Sequence, residues 1–174
     1  MSTPRRPVRG RDRLGRPVPL DDPGAVSEVP EQALPPAEAL ALAQTLLDEG
    51  RAFGAHEVLE ASWKAAPPDE RDLWQGLAQL CVGLTHLQRG NLVGAVRLLR
   101  RAAGRLPDDP PYGTAPGLGA LATGLAERVA AGDAEVPALR LLVDDQTRAA
   151  PLRRSAVRPG PAAARSAARA PRTS

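Results

Sequence analysis

Between Leu73 and Gln88 the chain contains no aspartate, glutamate, lysine or arginine, a stretch that would make about four helical turns. Leu73, Leu77, Leu80, Leu84 and Leu87 recur at spacings of three and four, which draws an apolar ridge along a helix. Gln75, Gln79 and His86 return close to one angle on a second face. A helix without a charged side must be wrapped on most sides, so this segment predicts a core helix of a helical bundle. Its amides and imidazole then need partners inside the protein. Composition agrees: the chain is 43% hydrophobic but 2% aromatic. Alanine and leucine supply the apolar mass, and both favour helix over strand.

Around this helix the chain divides into three parts: a disordered Arg/Pro-rich arm over 1–35, a helical domain over 36–143, and a disordered Arg/Ala/Pro-rich tail over 144–174. In the arm, Pro4, Pro7, Pro17, Pro19, Pro23 and Pro30 argue against regular structure. Within the domain, apolar periodicity predicts helices over Pro36–Glu49, Ala52–Ala65, Glu70–Gln88, Leu92–Leu106 and Leu118–Ala131. Asp69 stands where an N-cap of the third helix is expected. Pro137–Val143 reads as a short apolar piece packing on the bundle. Arg97, Arg100, Arg101 and Arg105 fall on the outer side of the fourth helix, as a solvated face. Cys81 is the single cysteine, which rules out an internal disulfide and reads as a small core residue of a protein in a reducing cytosol. No apolar leader and no run long enough to span a membrane occur, so the expected location is cytoplasmic, with no membrane partner. The arginine-rich ends lack aromatic residues for stacking on bases, so nucleic acid is expected as a weak tail contact and no more.

The first two helices recur as the next two at an offset of 40. Gly50 falls on Gly90, Gly54 on Gly94, Ala55 on Ala95, Leu59 on Leu99, and Pro67 on Pro107. Each unit reads as an αα-hairpin with glycine at its turn. Gly83, Ala95, Ala102 and Pro107 also fit tetratricopeptide spacing, but two units are too few for a superhelical array. The expected fold is all-α: a compact bundle of two αα-hairpins plus a fifth helix, with disordered basic tails.

The chemistry-bearing stretch is Ala52–Trp63, AFGAHEVLEASW. On a helix, His56 and Glu60 lie one turn apart and share a face with Phe53, Leu59 and Trp63. Burying an imidazole and a carboxylate among apolar groups is costly unless both are satisfied. The spacing therefore predicts that the pair meets Gln75, Gln79 and His86 across the central helix. The quoted motif, together with LWQGLAQLCVGLTHLQRGNLVGAVRLL, closely resembles the bacterial and archaeal family called domain of unknown function 309, over roughly Pro36 to Leu106. His56, Glu60 and Trp63 occupy its His, Glu and aromatic positions. The resemblance implies an all-helical fold and a metal-binding role, with no assigned reaction. Gly54, before Ala55-His56, is a poor helix former expected to loosen the first turn of the motif.

Two functional classes follow. In one, a divalent metal ion is held by His56, Glu60 and His86, with Glu57 at the rim as a base, an arrangement related to H-E-x-x-H but lacking its second histidine. In the other, His56 and Glu60 belong to a polar network that fixes helix pairing. The hairpin surfaces of that tetratricopeptide-like binding or scaffold module then hold a peptide or a second copy of the chain. The structural reading carries more weight, because two histidines in the whole chain are a minimal ligand supply.

Overall fold

The computed structural model describes residues 9–143. Five helices follow one another: α1 (Pro36–Asp48), α2 (Ala52–Ala65), α3 (Arg71–Gln88), α4 (Leu92–Ala103) and α5 (Leu118–Ala130). Each packs on the next in the chain, so α1 meets α2, α2 meets α3, α3 meets α4 and α4 meets α5. The all-α expectation holds for the body of the protein. α3 is its centre, with Leu73, Trp74, Leu77, Ala78, Leu80, Cys81, Leu84 and Leu87 all buried. The residues of α3 that keep partial exposure are Gln75, Gln79, Val82, His86 and Gln88. The amide stripe is thus the outermost line of a mostly wrapped helix.

The 40-residue offset is visible in the backbone. After α1, Gly50 takes φ +70°, its N–H donates to Leu47 O at 2.9 Å, and Arg51 N–H donates to Leu46 O at 2.7 Å. After α3, Gly90 takes φ +74°, donating to Leu87 O at 2.9 Å, and Asn91 N–H donates to His86 O at 2.8 Å. Both turns are Schellman motifs, in which a left-handed residue after the helix lets two amides reach its orphaned carbonyls. α2 and α4 then start at Ala52 and Leu92, again 40 apart. Asn91 caps α4 by accepting from Gly94 N–H at 2.9 Å, while Arg51 supplies no side-chain cap to α2.

Three expectations need correction. The arm is not featureless from Arg9 onward: β1 (Arg9–Asp12), β2 (Pro17–Pro19) and β3 (Ala25–Val26) form an antiparallel sheet in the order β2-β1-β3. Pro17 and Pro19 lie on β2, an edge strand, where a missing N–H costs no ladder bond. The turn is closed by Asp12, whose Oδ1 accepts from Leu14 and Arg16 at 2.9 and 2.7 Å. Second, the N-cap of α3 is Glu70 rather than Asp69, and no side chain caps that end. The Glu70 carboxylate instead accepts from Trp74 Nε1 at 3.1 Å and from the Tyr112 hydroxyl. Third, Gly54 does not loosen α2: it is helical and buried, with Leu46 and Val29 side chains lying where a β-carbon would begin to touch them.

The segment beyond α5 packs on the bundle as an extended strap, with Leu139 and Leu141 buried. Ala115 N–H donates to Leu141 O at 2.7 Å and Val143 N–H to Gly113 O at 3.0 Å. The resulting contact is a single antiparallel bridge between Thr114 and Leu142, not a strand of a sheet. Residues 144–174, to which the expected disordered basic tail belongs, lie outside the described residues.

Candidate functional site

α2 carries the motif because its apolar positions, Ala52, Ala55, Val58 and Leu59, are drawn into the core together with Ser62, leaving His56, Glu57 and Glu60 along its flank. His56 is the deepest of the three, with 21% of its side chain exposed. Its ring lies 5.9 Å from that of Phe53 in a tilted arrangement. Nε2 stands 3.8 Å from Glu60 Oε2, beyond hydrogen-bond range, and the buried Nδ1 has no partner of regular geometry. Burial is the main influence on the ring and lowers its pKa; Glu60 and the Ala78 carbonyl of α3 act the other way, and Lys64 adds to the lowering. His56 is therefore a neutral imidazole near pH 7, and its contact with Glu60 is not an ion pair there.

Glu60 turns outward, where Lys64 Nζ lies 3.3 Å from Oε1. Glu57 faces Arg11 of β1 at 3.5 Å. Burial raises the Glu57 pKa, Arg11 opposes this, and Glu60 and Glu28 reinforce it. Phe53 anchors the small sheet: the Arg11 and Arg89 guanidinium groups lie 4.9 and 5.6 Å from its ring centroid. Gly15 rests against the same ring, in a left-handed backbone conformation at φ +76°. Between this sheet and α2 opens a cleft of about 360 Å³, lined among others by Arg13, Arg51, Phe53, Glu57, Glu60 and Lys64. The volume falls within the range of small-ligand sites.

The predicted constellation comes together only in part. His56 and Glu60 are adjacent, and His56 faces α3 at the level of Ala78. His86 is eight residues further along α3, about 12 Å of helix rise, where its Nδ1 meets Asn91 Nδ2 at 2.9 Å. It borders Gly94 on the α4 side; burial, Arg89 and Arg97 lower its pKa. Gln79 keeps a buried Oε1 without a partner and Gln75 stays half-buried. Trp63 packs against the core as a partly buried side chain.

This donor set does not make a zinc or non-heme iron site. Such an ion takes three protein ligands or more, and among the described residues no group of three His, Cys, Asp or Glu side chains converges. Lys64 already occupies the open side of Glu60.

One polar residue of evident importance escaped sequence reading. Gln44, buried on α1, donates through Nε2 to Leu139 O at 3.0 Å and accepts from Leu141 N–H at 2.7 Å. Its carboxamide thus pairs with the strap as a neighbouring β-strand would. The available signal was a glutamine inside the apolar stripe of α1, next to Ala43.

The fold and the flank of α2 define a small helical-hairpin domain with a charged cleft and a motif histidine turned inward. Residues 40–98, from α1 into α4, match the family model described as Domain of unknown function (DUF309). It is also 48% identical over 48 residues to the uncharacterised protein YpuF of Bacillus subtilis (strain 168), a match covering 27% of this chain and 28% of that one. The chain therefore spans little more than a quarter of that relative's length. No solved structure matches. No helix among the described residues is long and apolar enough to cross a membrane.

Proposed function

We propose that the protein is a binding module whose ligand enters the cleft between α2 and the N-terminal sheet, with His56 serving as a structural joint between α2 and α3. The observation that supports this is the division of labour along α2. His56 is turned toward the Ala78 carbonyl and is neutral, whereas Glu57, Glu60 and Lys64 line the cleft. Its carboxylates are already engaged by Arg11 and Lys64, an arrangement suited to recognising charge rather than to moving protons. The lining alternates acids with Arg13, Arg51 and Lys64, and Arg51 Nε is buried without an acceptor. A short peptide segment bearing both signs of charge matches that lining.

Two measurements test the reading. Metal analysis of untagged protein should find well below one zinc, iron or manganese per chain, and the melting of His56→Ala should be lowered equally with and without those ions. Stoichiometric metal bound through His56 would overturn it. Amide chemical-shift mapping with short peptides containing both arginine and aspartate should move Arg51, Glu57 and Lys64 together. Perturbations confined to other surfaces would remove the cleft from consideration.

A further inference from the structure

We propose that the solvent face of α4 is a docking surface for the phosphate backbone of a nucleic acid. Arg97, Arg100 and Arg101 are all exposed and lie three and four residues apart, so they project from one side of the helix. α4 contains no acidic residue. Arg51, Arg105, Arg128 and Arg140 each face a carboxylate. Among the described residues the three α4 arginines form no ion pair. The helix C-terminus accounts for cations in the last turn, Arg100 and Arg101, but not for Arg97. The positive field also extends beyond α4: after burial, Arg89 and Arg97 are the influences that lower the pKa of His86 on α3.

A polyanion is the partner this face fits, and its chemistry favours phosphates in a nucleic acid over two other surfaces. An amphipathic helix binds a membrane by sinking its apolar side into the lipid. The apolar side of α4 is committed to the core through Ala95, Leu99 and Ala102, each fully buried. A protein partner would need an apolar centre inside the polar rim, whereas Val93, 83% exposed, is the single exposed large apolar side chain of α4, with Leu92, Val96 and Leu98 half-buried. Guanidinium groups grip phosphate oxygens through paired hydrogen bonds. With no aromatic group on α4, the surface is expected to read backbone charge and not sequence.

The test uses the full-length protein and a fluorescent, mixed-sequence DNA duplex, titrated over a range of salt. Replacing Arg97, Arg100 and Arg101 together with glutamine should leave the thermal melt unchanged and weaken binding by roughly tenfold or more. It should also make the slope of log K against log salt shallower by about one unit per arginine. Lysine at the same three positions should retain most of the binding, separating charge from fold. A companion variant with the arginines of residues 144–174 changed to glutamine isolates the tail. Unchanged affinity and slope in the α4 variant, with all binding lost in the tail variant, would overturn the proposal. So would binding to phosphatidylserine vesicles without binding to the duplex.

Discussion

At the residue scale, buried polar groups carry the clearest consequences. Burial lowers the His56 pKa, so between its folded and unfolded pKa values the unfolded chain binds more protons. Stability from this group is fully present above the unfolded value near 6.5 and is lost as pH falls through the folded one. His86 contributes in the same sense, whereas the raised pKa of Glu57 acts in the opposite sense above 4.5. Denaturant midpoints measured from pH 7.5 to 5.5 should therefore fall on acidification, and His56→Gln should flatten the slope relative to wild type. An identical slope in the two proteins would show that the imidazole titrates as freely folded as unfolded. Cys81 gives a second check. Burial pushes its thiol up to about 12, so the nucleophilic thiolate is scarce at neutral pH. A thiol reagent should label it only after unfolding; rapid labelling of native protein would place it at an accessible surface.

At the element scale, the two additions to the helical bundle each hang on one side chain. The β1–β2 turn lies on Phe53 through Gly15, and a β-carbon built there falls 2.2 Å from the ring. Gly15→Ala adds this clash to the cost of a left-handed alanine, together about 1–3 kcal/mol. The expected outcome is faster amide exchange in β1 and β2, with exchange in α3 unchanged; equal protection of the sheet would show that it is not anchored at Phe53. The strap depends likewise on Gln44. Gln44→Leu leaves Leu139 O and Leu141 N–H buried without those partners, which costs about 1–3 kcal/mol for such groups. The melt should fall by several degrees, and the Leu141 amide should become fast to exchange. No change in either would mean that Leu139 and Leu141 hold the strap by apolar burial alone.

At the scale of the whole molecule, α3 is the element on which the hairpins meet, since α2 and α4 flank it and α1 and α5 pack outside them. Close approach on the α4 side is allowed by Gly83, where a β-carbon would lie 2.9 Å from the Leu99 side chain. Gly83→Ala would force the helices apart and should destabilise the fold by roughly 1–3 kcal/mol, the range for overpacked cores. Chemical denaturation measures this; full stability would mean that Leu99 turns aside at no cost.

Much of this architecture follows from the chain alone. A helical stretch without charge from Leu73 to Gln88 folds where neighbours cover it. Gly50 and Gly90 end their helices because glycine enters the left-handed conformation without a β-carbon penalty, so two equivalent hairpins were legible 40 residues apart. The motif on α2 likewise fixed the adjacency of His56 and Glu60, since a helix places residues four apart together. Distance along an axis is another matter: Gln75, Gln79 and His86 share an angle on α3, yet α2 crosses that helix near Ala78, and helical phase says nothing of where a crossing falls. The sheet was hidden for a related reason, and of the strap only the apolar piece over Pro137–Val143 was legible, not its clamp. Strands of two to four residues are too short to show alternation; the sheet is held by Phe53 and the strap by Gln44, each from elsewhere in the chain. Local periodicity determined the helices and their turns; the cleft, the separation of His86 from His56, and the clamp on the strap were decided by contacts between residues far apart in sequence.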